Sequence, residues 1–170
     1  MPSTAPKGVR WELFQGVALP VSDADGPTRI DGPVYAGYSH TPTGALLAAA
    51  NIGSRYLVTP GNGWREVVRE QVLPGTGRDV FTENRAKVTD DSAQPGQFGQ
   101  LAAFKFVTYT QDVAVIQLVT RFATGQMQVA TDTVRWSNGD WRLELQPDGG
   151  TSPSAQSVSS IVGYVPWGGV

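Results

Sequence analysis

Gln126-Met127-Gln128-Val129-Ala130-Thr131-Asp132-Thr133-Val134-Arg135-Trp136-Ser137-Asn138-Gly139-Asp140-Trp141-Arg142-Leu143-Glu144-Leu145 is the stretch on which the fold turns. Asn138-Gly139 stands between two runs rich in β-branched and aromatic residues. A tight two-residue hairpin needs positive φ at both central positions, and Asn-Gly supplies it at little steric cost. Beyond the turn, Trp141, Leu143 and Leu145 alternate with Arg142 and Glu144, the period of a strand with one covered face. Upstream, Leu101–Thr110 and Val113–Phe122 carry the same signature, and with Gln126–Trp136 and Trp141–Leu145 they make four strands of an antiparallel, curled sheet.

Helices precede this sheet. Thr41 suits an N-cap and Pro42 the first helical position, ahead of Ala45-Leu46-Leu47-Ala48-Ala49-Ala50. Leu46, Ala49, Ala50 and Gly53 form a small-residue stripe that allows close approach to a sheet. Trp64–Leu73 predicts a second helix, apolar through Trp64, Val67, Val68 and Val72, and Arg78–Val88 a third. The polar segment Asp90–Gly99 reads as the linker into the sheet. The expected class is α+β, with N-terminal helices packed on a curved antiparallel sheet in a cone-like roll.

Two arms flank that core. Residues 1–38 form an N-terminal arm with a short strand at Val9–Phe14, a loop over Ser22–Gly32 and an extended piece at Val34–Tyr38. Residues 147–170 form a C-terminal arm with a short helix at Ser154–Val162 and an aromatic end, Gly163–Val170. An end carrying Tyr164 and Trp167 should fold back on its own domain or insert into a neighbour. The core between them spans residues 39–146.

With 170 residues, a formal charge of −2 and scattered Arg and Lys, the chain lacks the basic stripe of a phosphate-neutralising nucleic-acid binder. It has no cysteine, hence no thiolate nucleophile and no Cys-based metal site. A single histidine, His40, excludes a multi-histidine metal centre and leaves no spare base for a Ser–His system. Gly61-Asn62-Gly63 lacks both the strand–GxGxxG–helix setting and the lysine of a phosphate loop. Asp23-Ala24-Asp25-Gly26 opens like a calcium loop but lacks the later acid. The expectation is no cofactor and no metal. No apolar run nears the length of a membrane span, and the N-terminus lacks the apolar stretch of a signal peptide. The expected location is the cytoplasm or a virion, without membrane insertion.

Element order and patterning over residues 40–146 resemble the superfamily named after nuclear transport factor two. In that superfamily helices pack into the concave side of a bent sheet and leave a pocket at its mouth. Three motifs, Trp11-Glu12 with Gly16-Val17-Ala18-Leu19-Pro20, His40-Thr41-Pro42-Thr43-Gly44-Ala45-Leu46-Leu47-Ala48-Ala49, and Val165-Pro166-Trp167-Gly168-Gly169, resemble a group of actinobacterial proteins carried on phages and integrative conjugative elements. That resemblance implies a non-catalytic assembly module of a phage particle or conjugation machine, homo-oligomeric or bound to other proteins. Tyr164, Pro166, Trp167, Trp11 and Phe14 are the expected contacts. The alternative is a small-molecule binder, or an isomerase- or hydratase-like enzyme, using the cone pocket, lined by His40, Tyr109 and Asp132. His40 reads first as ordering the helix start, and Asp132 first as a solvated strand charge. Asp132 competes for the interior with the Met127, Val129, Thr131 and Thr133 face, and a bulge would reconcile the two.

Overall fold

The computed structural model describes residues 1–88 and 97–170; most of the expected linker, residues 90–96, lies outside the described residues. Two hairpins come first, β1 (Val9–Phe14) with β2 (Val17–Ser22) and β3 (Arg29–Asp31) with β4 (Val34–Ala36). Helices α1 (Pro42–Val58), α2 (Gly63–Gln71) and α3 (Thr76–Ala86) follow. The main sheet takes β5 (Gln100–Tyr109), β6 (Val113–Arg121), β7 (Met127–Ser137), β8 (Asp140–Glu144), β9 (Gln156–Val158) and β10 (Val165–Pro166). Its order is β10-β5-β6-β7-β8, with β9 beside β8 on the same edge of β7, and every ladder in it is antiparallel. The class is α+β, with α1 and α2 packed on a curved antiparallel sheet and α3 against α2. Asn138 and Gly139 both hold positive φ, 53° and 79°, as the Asn-Gly turn requires.

Gln15 and Gly16 adopt the same pair of signs, 52° and 79°, and turn the expected single strand into the β1–β2 hairpin. That hairpin changes the surroundings of α1. The sequence stripe predicts one buried face, yet Gly44 to Ile52 are buried without a break, because the sheet covers one side and β2 the other. Asn51 is the polar cost of that position, and it is satisfied: its amide donates to the carbonyls of Pro20 (2.8 Å) and Leu47 (3.1 Å). Thr41 caps the helix, its hydroxyl accepting from the Gly44 N–H at 3.0 Å. Asp140, at the start of β8, accepts from the N–H groups of Gly37 (2.7 Å) and Tyr38 (3.0 Å), fixing the segment that leads into α1.

The C-terminal segment departs from expectation. Ser154–Val162 is not a helix; β9 pairs with Met127–Val129 of β7. Val158 and Ile161 then pack, with Tyr164, over Ala103, Val119 and Val129 on the outer face of the sheet. This covering removes the need for a bulge in β7. The β6–β7 register is unbroken from Val113↔Arg135 to Arg121↔Met127, and both faces of β7 carry apolar residues because both are covered. The register shifts lie in β5 instead, at Leu101/Ala103 and Phe106/Thr108, where they bend and twist the strand.

At the far end, β10 pairs with β5, and the Trp167 N–H donates to the carbonyl of Ala102 (2.9 Å) at the first of those shifts. The Trp167 ring is only 6% exposed, set edge-on against Trp11 (5.0 Å) and Phe104 (5.4 Å). Trp11 and Trp167, expected as contacts to other proteins, anchor the two arms to their own chain, with Trp167 buried and Trp11 half-buried against it. Phe14, half-buried, packs against the Arg55 guanidinium, 4.2 Å from its ring centre. Tyr164 lies on the outer cluster, its hydroxyl 3.3 Å from the side-chain oxygen of Gln117, while Pro166 is exposed. No helix among the described residues is long and apolar enough to cross a membrane.

Candidate functional site

Alternation along β7 turns Gln128, Ala130, Asp132, Val134 and Trp136 toward the helices. At the Trp136 end the space is full: Val134, Trp136, Trp141 and Leu143 close it. At the Ala130 end it is not. Ala130 on β7 and Gly53 on α1 carry little or no side chain, and the sheet and helix leave a pocket of about 300 Å³ between them. Val17, Leu57, Val58, Leu101 and Leu118 supply much of its wall, with Phe98 and Phe122 toward the rim. A wider groove of about 600 Å³ separates α2 from α3, lined by charges of both signs, Arg65, Arg69, Arg78, Asp79 and Glu83; Arg69 pairs with Glu66 and Glu70 outside it, and Arg78 donates to the carbonyls of Arg69 and Val72.

Asp132 is the chemical feature of the inner pocket. It is 4% exposed, so the expectation of a solvated strand charge is overturned: its carboxyl sits under α1, not in water. The approach is close enough that a Cβ on Gly53 would stand 2.5 Å from its Oδ2. Among the described residues no Lys, Arg or His lines the pocket, and no hydrogen bond or ion pair to another of them holds the carboxyl. Burial without a counter-charge disfavours the ionised form and raises its pKa from the ordinary 3.8 to about 7. Near neutrality both forms are then populated. The neutral acid can donate one hydrogen bond; the carboxylate can only accept. Tyr56, buried on the next turn of α1, has its phenol pKa pushed up by burial and, secondarily, by the Asp132 charge.

His40 and Tyr109, grouped with Asp132 by the sequence, are placed elsewhere. His40 is exposed at the front of α1, while Gly53 lies about 20 Å further along the helix axis. Its ring stacks on Trp136 at 3.9 Å and its Nε2 donates to the Gln111 carbonyl, tying the β5–β6 turn to the helix start. Tyr109 packs on Phe106 and Trp141, each at 6.2 Å, in the filled half of the interior. Neither lines the pocket, a correction that follows from strand geometry: Trp136 is four residues from Asp132, about 13 Å along β7.

Arg55 is the buried charge that the sequence did not single out. At 1% exposure it lies between the rings of Phe14 (4.2 Å) and Tyr35 (3.5 Å), with Nε donating to Asn51 at 3.3 Å. Burial lowers its pKa, partly offset by the neighbouring Tyr35 and Tyr38. It joins the two N-terminal hairpins to α1 through its flat guanidinium. Among the described residues no three His, Asp or Glu side chains converge as metal ligands would.

A family model described as a domain of unknown function (DUF8175) matches residues 1–166. The chain belongs to that family. The match includes both arms as well as the helices and sheet, in keeping with β1, β2, β9 and β10 packing as parts of one body. No curated protein and no solved structure matches the chain.

Proposed function

We propose that this domain binds a small, mostly apolar molecule in the pocket between α1 and β7, without transforming it. The observation that carries the reading is Asp132: a buried carboxyl with no partner among the described residues, at the wall of an apolar pocket of about 300 Å³. Ligand pockets characteristically combine apolar walls with one or two polar groups that fix orientation, and this volume falls at the small end of their range. About ten water volumes fit, which suits a compact ligand rather than an extended chain. The resemblance in element order to the nuclear transport factor two-like superfamily supports the same reading, since pockets there open at the mouth of the sheet. A binding role is preferred to an enzymatic one because, among the described residues, no second acid or base stands with Asp132 in the wall.

The test is an NMR screen of neutral apolar probes such as cyclohexanol and indole. Shifts centred on Gly53, Ala130 and Asp132, lost in the pocket-filling variant Ala130→Leu, are expected. Probes that leave those resonances unmoved would overturn the reading.

A second proposal is assembly with copies of itself or with other proteins of an actinobacterial phage particle or conjugation machine. With Trp11, Phe14 and Trp167 engaged internally, its support moves to Leu13 on β1 and Val107 on β5, 75% and 51% exposed. Sedimentation of the purified chain tests it, a concentration-independent monomer counting against it.

A further inference from the structure

We infer that the pocket selects a cationic ligand: a primary or secondary ammonium on a compact apolar body, its charge set against Asp132 and its hydrocarbon against Leu57, Leu101 and Leu118. The inference rests on the binding role proposed above and deepens it by naming the ligand's charge.

Among the described residues that line the pocket a single one is ionisable, and it is an acid. The described elements packed against Asp132 bring no cation to it. From α1 come Gly53 and the neutral phenol of Tyr56, from β6 Ile116 directly opposite and Leu118 beside it, and from β7 itself Ala130 and Val134. Arg55, two residues from Gly53, is turned away into the rings of Phe14 and Tyr35. An anionic ligand would find no donor of opposite charge and would face a carboxyl that ionises near neutrality. A neutral ligand would gain one hydrogen bond. An ammonium gains that bond in its charge-assisted form, which is roughly twice as strong. It also supplies the counter-charge whose absence keeps the empty site's carboxyl pKa high.

Benzylamine, benzyl alcohol and benzoate share one apolar body and differ in charge, so they isolate this term. Binding is read from the amide shifts of Gly53 and Ala130 near neutral pH, in the full chain and in Asp132→Asn. The expected result is benzylamine binding about tenfold or more tighter than benzyl alcohol, with benzoate weakest. In Asp132→Asn the amine should lose that advantage while the alcohol keeps its affinity. The carboxyl carbon of Asp132 should also move to its ionised shift when benzylamine saturates the site. Equal binding of amine and alcohol would overturn the cation inference and leave the pocket reading standing. An amine preference that survives Asp132→Asn would overturn it too, by placing the charge elsewhere. If none of the three moves Gly53 or Ala130, the binding role falls with it.

Discussion

Replacing Asp132 by Asn removes one ionisation and nothing else of comparable size, so it tests how dry the carboxyl is. In the folded chain that group titrates at about 7, in the unfolded chain near its ordinary 3.8. A folded-state value raised above the unfolded one means that the folded chain holds the proton more tightly. The stabilisation is fully present below the unfolded value and is lost as pH rises through the folded one. Each pH unit in that interval costs about 1.4 kcal/mol, so the whole interval removes about 4 kcal/mol, a large share of an ordinary domain's stability. The asparagine side chain would keep the size and neutrality of the protonated acid without titrating. Urea unfolding of both chains from about pH 4 to about pH 8.5 should therefore show the variant gaining on the native chain with pH, by about 4 kcal/mol across the range. Other titrating groups are common to both chains and cancel in the difference. A gap that stays constant across the range would refute the reasoning, because it would mean that the carboxyl is solvated in the folded state.

Three further outcomes follow from the packing. Gly53→Ala should destabilise by up to about 1 kcal/mol, because the added Cβ displaces the end of the Asp132 side chain and that outweighs the helix preference of Ala; in an Asp132→Ala background the same change should become stabilising by up to about 1 kcal/mol, the helix preference of Ala over Gly. A thermodynamic cycle by urea unfolding reads that change of sign. Trp167→Ala should cost about 3–5 kcal/mol and leave a chain that still sediments as the native one does, since the ring is buried against Trp11 and Phe104 of its own chain. Loss of stability below about 1 kcal/mol, or a changed sedimentation coefficient, would return the tail to an intermolecular role. Thr41→Ala should cost about 1 kcal/mol by removing the acceptor for the Gly44 N–H, measured by thermal unfolding, and Thr41→Ser should retain it.

The parts of this fold that were readable in the sequence are those with local causes. Thr41-Pro42 starts α1 and Asn138-Gly139 turns β7 into β8, each through the backbone preferences of two adjacent residues. Gln15-Gly16 is a weaker form of the same signal, a glycine after a polar residue between two apolar runs. Local pattern and fold part where distant segments decide. A period of two says which side chains share a face of β7, but not that residues 156–164 will cover the other face. Ser154–Val162 has no strong helix or strand preference of its own, and the free edge of β7 settles it as β9. The site shows the same limit. Gly53, an isolated glycine inside an alanine-rich helix, hinted at a close approach, but only tertiary packing names Asp132 as what it approaches.

The meeting of Trp11 with Trp167 also bears on how the molecule is made. An early residue and a late one complete the same part of the core, so the edge of β5 stays unpaired and the Trp11 and Phe104 rings uncovered until residue 167 has emerged from the ribosome. Such long-range closure slows folding and leaves sticky surface bare meanwhile. Nascent copies of this chain should therefore depend on ribosome-associated chaperones, and polypeptides truncated before Trp167 should be swept up by proteases rather than accumulate as folded fragments.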